Sequence, residues 1–229
     1  MKSSRWHSRL SVTFFLLTLA LALFSWVGSV YGVGEVQSLL SAEGIRWVLG
    51  HTLDNYVQAP ALGVVLVLFM GLGIGVRSGL YDVLRRFIQK GKMVSRKERR
   101  ALVLAVSVFA LFLILVGISL LLPWNLFLGV TGSWLHSPIS KGGIYLLSVG
   151  IGVTGMVYGY VADVYRSLSD VVKGMSCLIA RKASFFVTLF FVVQFFSSLE
   201  YVRLAAYLQC PEEVVSVICQ LCSFIPMFF

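Results

Sequence analysis

The stretch APALGVVLVLFMGLGIGVRSGL, Ala59 to Leu80, decides the fold. Its first 18 residues are uncharged, and at a helical rise of about 1.5 Å per residue such a run crosses the hydrocarbon of a bilayer. Glycines at 63, 71, 73, 75 and 79 interrupt it. Glycine weakens a helix in water, so a glycine-rich apolar helix makes sense where small side chains let backbones approach inside lipid. Immediately after it, Arg77 opens a dense basic segment, as at the cytoplasmic end of a span.

The rest of the chain repeats this design. Of 229 residues, 58% are hydrophobic and 13% charged, and the mean hydropathy is +0.89. Apolar blocks are predicted to span at Leu10–Val33, Ala59–Val76, Ala101–Pro123, Gly143–Ala162 and Phe185–Leu208. The last 16 residues are apolar but short, a marginal sixth span or an interfacial piece. Segment 34–58 is too polar to span, and its apolar residues recur at helical spacing, which predicts one or two interfacial helices. The expectation is an all-α, polytopic helical membrane protein.

Charge sets the predicted topology. The formal net charge is +9, and sixteen of the 19 Lys and Arg fall in three segments: the leader, 77–100, and 163–184. By the positive-inside rule these are cytoplasmic, which places the amino terminus in the cytoplasm, and the expected location is the inner (cytoplasmic) membrane. The chain divides accordingly into 1–76, a basic loop 77–100, and a bundle 101–229. Nucleic-acid binding is excluded as the reason for the charge; docking of anionic lipid or a cytoplasmic partner by 77–100 is the other reading beside topology.

Chemistry-bearing groups are few. Cys219 and Cys222 have CxxC spacing, yet they lie in an apolar run with no second pair, so packing explains them and Cys177 and Cys210. His7, His51 and His136 form no ligand set, and no nucleophile–base pair is visible, so neither an enzyme, a metal nor a cofactor is expected. Gly71, Gly75 and Gly79 form a helix-packing stripe, and Gly152, Gly155 and Gly159 with Ser148 form a second. Unwinding of GLGIG around a cargo cavity is the alternative. Inside spans, only Glu200 and Arg203 are charged, three apart as for a structural ion pair, and Gln194 is the other deep polar group. These three are the candidate substrate contacts.

Several stretches resemble the AbgT family of p-aminobenzoyl-glutamate transporters. LLSAEGIRWVL at 39–49 and the glycine-rich 59–80 resemble its second-span region. VSRKERRALVLAV at 94–106, GSWLHSPISKGG at 132–143, VYGY at 157–160, SDVVKGM at 169–175 and FFVVQF at 190–195 follow its middle region in order. The resemblance implies secondary transport of an anionic substrate, coupled to an ion gradient. It is a resemblance to the outer frame alone: the family's Asp-Ala-Gly-Tyr type segment and its Pro-rich carboxyl-terminal segment have no counterpart, and no family ligand residue carries over. The expectation is a shortened, scaffold-like member, a homodimer or one completed by a partner supplying the core. A minimal oligomeric transporter, or a membrane interaction protein, are the alternatives.

Overall fold

The computed structural model describes residues 2–32, 36–89, 95–121 and 138–203, with 217–218, 221–222, 224 and 226 near the carboxyl end. The described residues form eight α-helices and no strand: α1 (Lys2–Val30), α2 (Ala42–Gln58), α3 (Pro60–Ser78), α4 (Leu80–Ile88), α5 (Arg96–Leu121), α6 (Pro138–Val161), α7 (Leu168–Arg181) and α8 (Ala183–Tyr201). Five stretches are long and apolar enough to cross a membrane, Arg5–Val30, Pro60–Ser78, Arg96–Ser119, Gly142–Val161 and Ala183–Tyr201. Each overlaps one of the five predicted spans. The predicted outer loop with Trp124, Trp134 and His136 falls at 122–137, outside the described residues. So do Cys210, Cys219 and most of the marginal sixth segment.

The chain forms two compact units, Met1–Gly63 with Lys182–Phe229, and Val64–Arg181. In the first, α1 and α2 pack on α8. Ser41 starts α2, accepting the Gly44 N–H on its hydroxyl at 3.0 Å, so the polar segment 34–58 yields one helix. A small core of Leu21, Leu39 and Val202 closes one end, where Trp47 stacks on Tyr201 at 4.5 Å between centroids. At the other end, the Thr188 hydroxyl lies 2.9 Å from the Ser184 carbonyl, 3.1 Å from the His7 carbonyl and 3.0 Å from the Ser11 hydroxyl. Such knots substitute for water where helices meet in lipid.

In the second unit α3 passes into α4 through Gly79 alone, and α6 into α7 through residues 162–167. The basic segment 77–100 contains α4 and the start of α5. Leu80 and Val83 of α4 are buried with Ala101, Leu102, Ala105 and Tyr158, while Arg85 points its charge outward. Arg86 bridges α4 to α5 through Glu98 at 3.0 Å. Lys97 pairs with Asp163 just beyond α6, holding that exposed carboxyl below the ordinary carboxylate range. At the head of α7, Asp170 accepts the Arg166 and Ser167 N–H groups and the Ser167 hydroxyl. These bonds keep its carboxyl low as well.

Candidate functional site

The glycine helices meet in the second unit, and the contact is backbone on backbone. A Cβ added to Gly155 of α6 would lie 2.9 Å from both Cα and N of Gly75 on α3. One added to Gly71 would lie 2.8 Å from the Ser148 carbonyl carbon, and one on Gly152 would lie 3.5 Å from the Gly71 Cα. Gly73 turns to α7, where its Cβ would lie 2.6 Å from the Gly174 carbonyl oxygen. The Ser148 hydroxyl crosses the seam and donates to the Val67 carbonyl at 2.6 Å. Helix α3 is continuous from Pro60 to Ser78, so GLGIG is helical rather than unwound.

Three of the six stripe glycines do other or further work: Gly75, though it touches Gly155, aims its own Cβ position at the Tyr81 ring of α4, 2.8 Å from Cε2. Gly79 has open space around it and φ 81, a left-handed conformation that ends α3 and caps α4, so its place in the stripe is corrected from packing to turning. Gly159 makes room for an aromatic ring: its Cβ would fall 3.0 Å from Cγ of Tyr165. Tyr165 was not among the residues singled out by sequence. It follows α6 through a turn in which Asp163 takes φ 59 and the Val164 and Tyr165 N–H groups both donate to the Gly159 carbonyl, at 2.8 and 3.0 Å. That turn folds the ring back over Gly159, and its hydroxyl donates to the Ile74 carbonyl of α3 at 2.7 Å.

The deep polar residue of the first unit has a structural partner. The Gln194 side-chain amide donates to the Thr52 carbonyl of α2 at 2.7 Å, fastening α2 to α8. Beside it runs a cleft of about 390 Å³ lined mainly by Phe15, Leu19, Ile45, Leu49 and Phe190. The Thr18 and Thr52 hydroxyls in its wall donate to the carbonyls of Phe14 and Val48 in their own helices. The Gln194 amide and both threonine hydroxyls are thus engaged with the protein, and the lining is mostly apolar. Gln194→Leu is expected to cost about 1 kcal/mol, the worth of one such bond, read as a lower thermal midpoint in detergent. An unchanged midpoint would show that α2 is held by its apolar contacts alone.

Glu200 and Arg203 do not share one helical stripe, contrary to the expectation. Helix α8 ends at Tyr201, and Arg203 stands beyond it at φ 56, with its N–H donating to the Glu200 carbonyl at 3.1 Å. Both residues are exposed. The left-handed Arg203 turns the chain, so the spacing of three no longer measures a helical face. Gln194 therefore lies by the apolar cleft, and the other two mark a helix end. Among the described residues no Asp, Glu, Lys or Arg is buried, and no cluster of His, Cys, Asp or Glu has the makings of a metal site.

This architecture has counterparts among solved structures. It is similar to the Alcanivorax borkumensis YdaH transporter, with TM-score 0.72 and 18% identity over 86% of this chain and 71% of that one. It is also similar to Neisseria gonorrhoeae MtrF, described as illuminating a class of antimetabolite efflux pumps, with TM-score 0.75 and 16% identity over 86% and 70%. At those identities the likeness is one of fold. In sequence, 107 residues are 27% identical to the p-aminobenzoyl-glutamate transport protein of Escherichia coli strain K12, covering 42% of this chain and 21% of that protein. The match thus spans about a fifth of the relative's length. A model of the AbgT putative transporter family matches residues 11–92 and 82–212, nearly the whole described chain, and this multi-pass membrane protein belongs to that family.

Proposed function

We propose that the protein serves the secondary transport of small organic anions of the p-aminobenzoyl-glutamate class across the inner membrane, with its amino terminus in the cytoplasm. In this reading the described helices are the packed, dimerising frame of the transporter, and the groups that hold the cargo lie outside them. The observation that carries it is the α3–α6 seam: two membrane helices in backbone contact, with no charged side chain buried among the described residues. A dicarboxylate moving through a helical protein calls for buried polar or charged groups or broken helices. Here both helices of the seam are unbroken, the cavity of about 260 Å³ along it is lined mainly by apolar side chains such as Met70, Ile74, Val149 and Met156, and Thr18, Thr52 and Gln194 of the first-unit cleft already bond to helix carbonyls. The family membership and the charge bias of the loops support the remainder.

The test is flux of p-aminobenzoyl-glutamate into proteoliposomes, together with the mass and composition of the complex gently extracted from its native membrane. The expected result is a dimer or a larger complex, with flux that Gln194→Leu and Glu200→Gln leave within about twofold. Flux abolished by Glu200→Gln or by Gln194→Leu would instead favour a minimal transporter whose oligomer brings Gln194, Glu200 and Arg203 to a shared pathway. A monomer would remove the dimerising frame.

A further inference from the structure

We propose that Arg96, Arg99 and Arg100 at the start of α5 form a binding site for the phosphate of an anionic phospholipid, with an acyl chain laid along the same face of the helix. At about 3.6 residues per turn, positions 96, 99, 100, 103, 104, 107, 111, 114 and 118 share one side of α5. That side is exposed from end to end: three arginines, then Val103 (61% exposed), Leu104, Leu111 (56%), Ile114 and Ile118. The opposite side, Ala101, Leu102 and Ala105, is buried in the second unit. A cationic head continuing into an apolar stripe, in which the Ser107 hydroxyl is turned back onto the Leu104 carbonyl at 2.9 Å, has the polarity profile of a lipid molecule. The helix is also one of the membrane-crossing stretches, so the arginines stand at the depth where headgroups lie.

The local electrostatics leave this trio available. The nearby carboxylates are committed elsewhere, Glu98 to Arg86 and Asp163 to Lys97. Among the described residues, Arg96, Arg99 and Arg100 have no carboxylate partner, and the segment 90–94 carries lysines and no acid. A cleft of about 540 Å³ opens between them, floored by Val103 and Leu104. The helix end itself is not the anion site. Ser95 and Glu98 cap it reciprocally, the Glu98 N–H donating to the Ser95 hydroxyl at 3.3 Å and the Ser95 N–H to the Glu98 carboxylate at 2.9 Å. Recognition falls to the guanidinium groups, whose planar forks match phosphate oxygens. Two of them can clamp a single phosphodiester while the third meets the headgroup or a second phosphate.

The test is native mass spectrometry of the full chain in a neutral detergent, titrated with dioleoyl-phosphatidylglycerol against dioleoyl-phosphatidylcholine. The native protein is expected to retain the anionic lipid over the neutral one by about tenfold, given the attraction of each basic residue to an anionic surface. The triple variant Arg96→Gln, Arg99→Gln, Arg100→Gln is expected to lose that preference. A control with the same charge removed, Arg166→Gln, Lys173→Gln, Arg181→Gln, is expected to keep it. Preference retained in the first triple variant, or lost equally in both, would overturn the site. Displacement of the lipid by excess inorganic phosphate alone would assign the trio to free phosphate and overturn the lipid. Should the triple variant not extract as a folded protein, Arg96→Gln and Arg100→Gln singly each reduce the preference about threefold, or the proposal fails.

Discussion

Alanine at Gly155 is expected to lower the stability of the protein by about 3 kcal/mol, at the upper end of the cost of overpacking. The methyl group would lie 2.9 Å from the Gly75 Cα and N and 3.2 Å from the Ile74 carbonyl carbon. None of these atoms can swing aside, because all belong to the backbone of a continuous helix. Relief requires α3 and α6 to separate, and separation stretches the Ser148 to Val67 hydrogen bond on the same seam. Gly71→Ala meets the same obstacle at Ser148. Since one displacement of the helices relieves both clashes, the double variant is expected to cost clearly less than the sum of the two. Gly63→Ala supplies the contrast. That helical glycine has open space around it, so alanine should be neutral or stabilising by a few tenths of a kcal/mol through backbone entropy. Thermal loss of the monodisperse species in detergent measures all four. Equal midpoints for Gly155→Ala and Gly63→Ala would mean that the seam does not hold the unit together.

The same contrast marks what the residues alone could tell. Spans were legible because hydrocarbon thickness fixes the length of an apolar run, and charge at its ends needs no tertiary knowledge. Gly71, Gly75, Gly152 and Gly155 were legible because spacing by three or four identifies a face. Yet spacing cannot say whether a glycine is there for its smallness or its backbone freedom. Gly79 fits the stripe and serves the turn. The end of α8 was hidden for a related reason: EYVRLAAYL stays apolar past Tyr201 with no glycine or proline to stop it, so Arg203 read as a membrane residue. In 77–100 the charges drew the reading toward a loop, although Leu80, Val83, Leu84 and Phe87 repeat at helical spacing and form one face of α4. Tyr165 carried no local signal. What makes it matter is the gap between Gly159, Gly174 and Ile74, which only the folded chain brings together.

Tyr165 accordingly gives the second large effect. The side chain is 2% exposed and fills the space that Gly159 and Gly174 leave open, with a Cβ on Gly174 falling 2.8 Å from its hydroxyl. Tyr165→Ala would leave a cavity the glycines cannot close, at a cost of about 3–5 kcal/mol, as for other large-to-small aromatic changes. Tyr165→Phe keeps the ring and removes the bond to the Ile74 carbonyl, at about 1 kcal/mol. The two variants thus separate ring from hydroxyl. Burial also pushes the phenol up to about 12 from its ordinary value near 10. Below pH 10 the phenol is neutral in folded and unfolded chains alike, and the shift has no effect on stability. Between pH 10 and 12 the unfolded chain releases the proton while the folded chain keeps it, so stability falls with rising pH. Across that window the loss from this group is about 2–3 kcal/mol, the equivalent of two pKa units. Tyr165→Phe should abolish this portion of the alkaline loss, so that the variant, weaker than the native protein at pH 8, matches or exceeds it near pH 12. Chemical unfolding of both proteins at pH 8, 10 and 11.5 reads the crossing directly. Parallel pH curves would show that the hydroxyl reaches water and that the turn after α6 does not seal the gap beside α3.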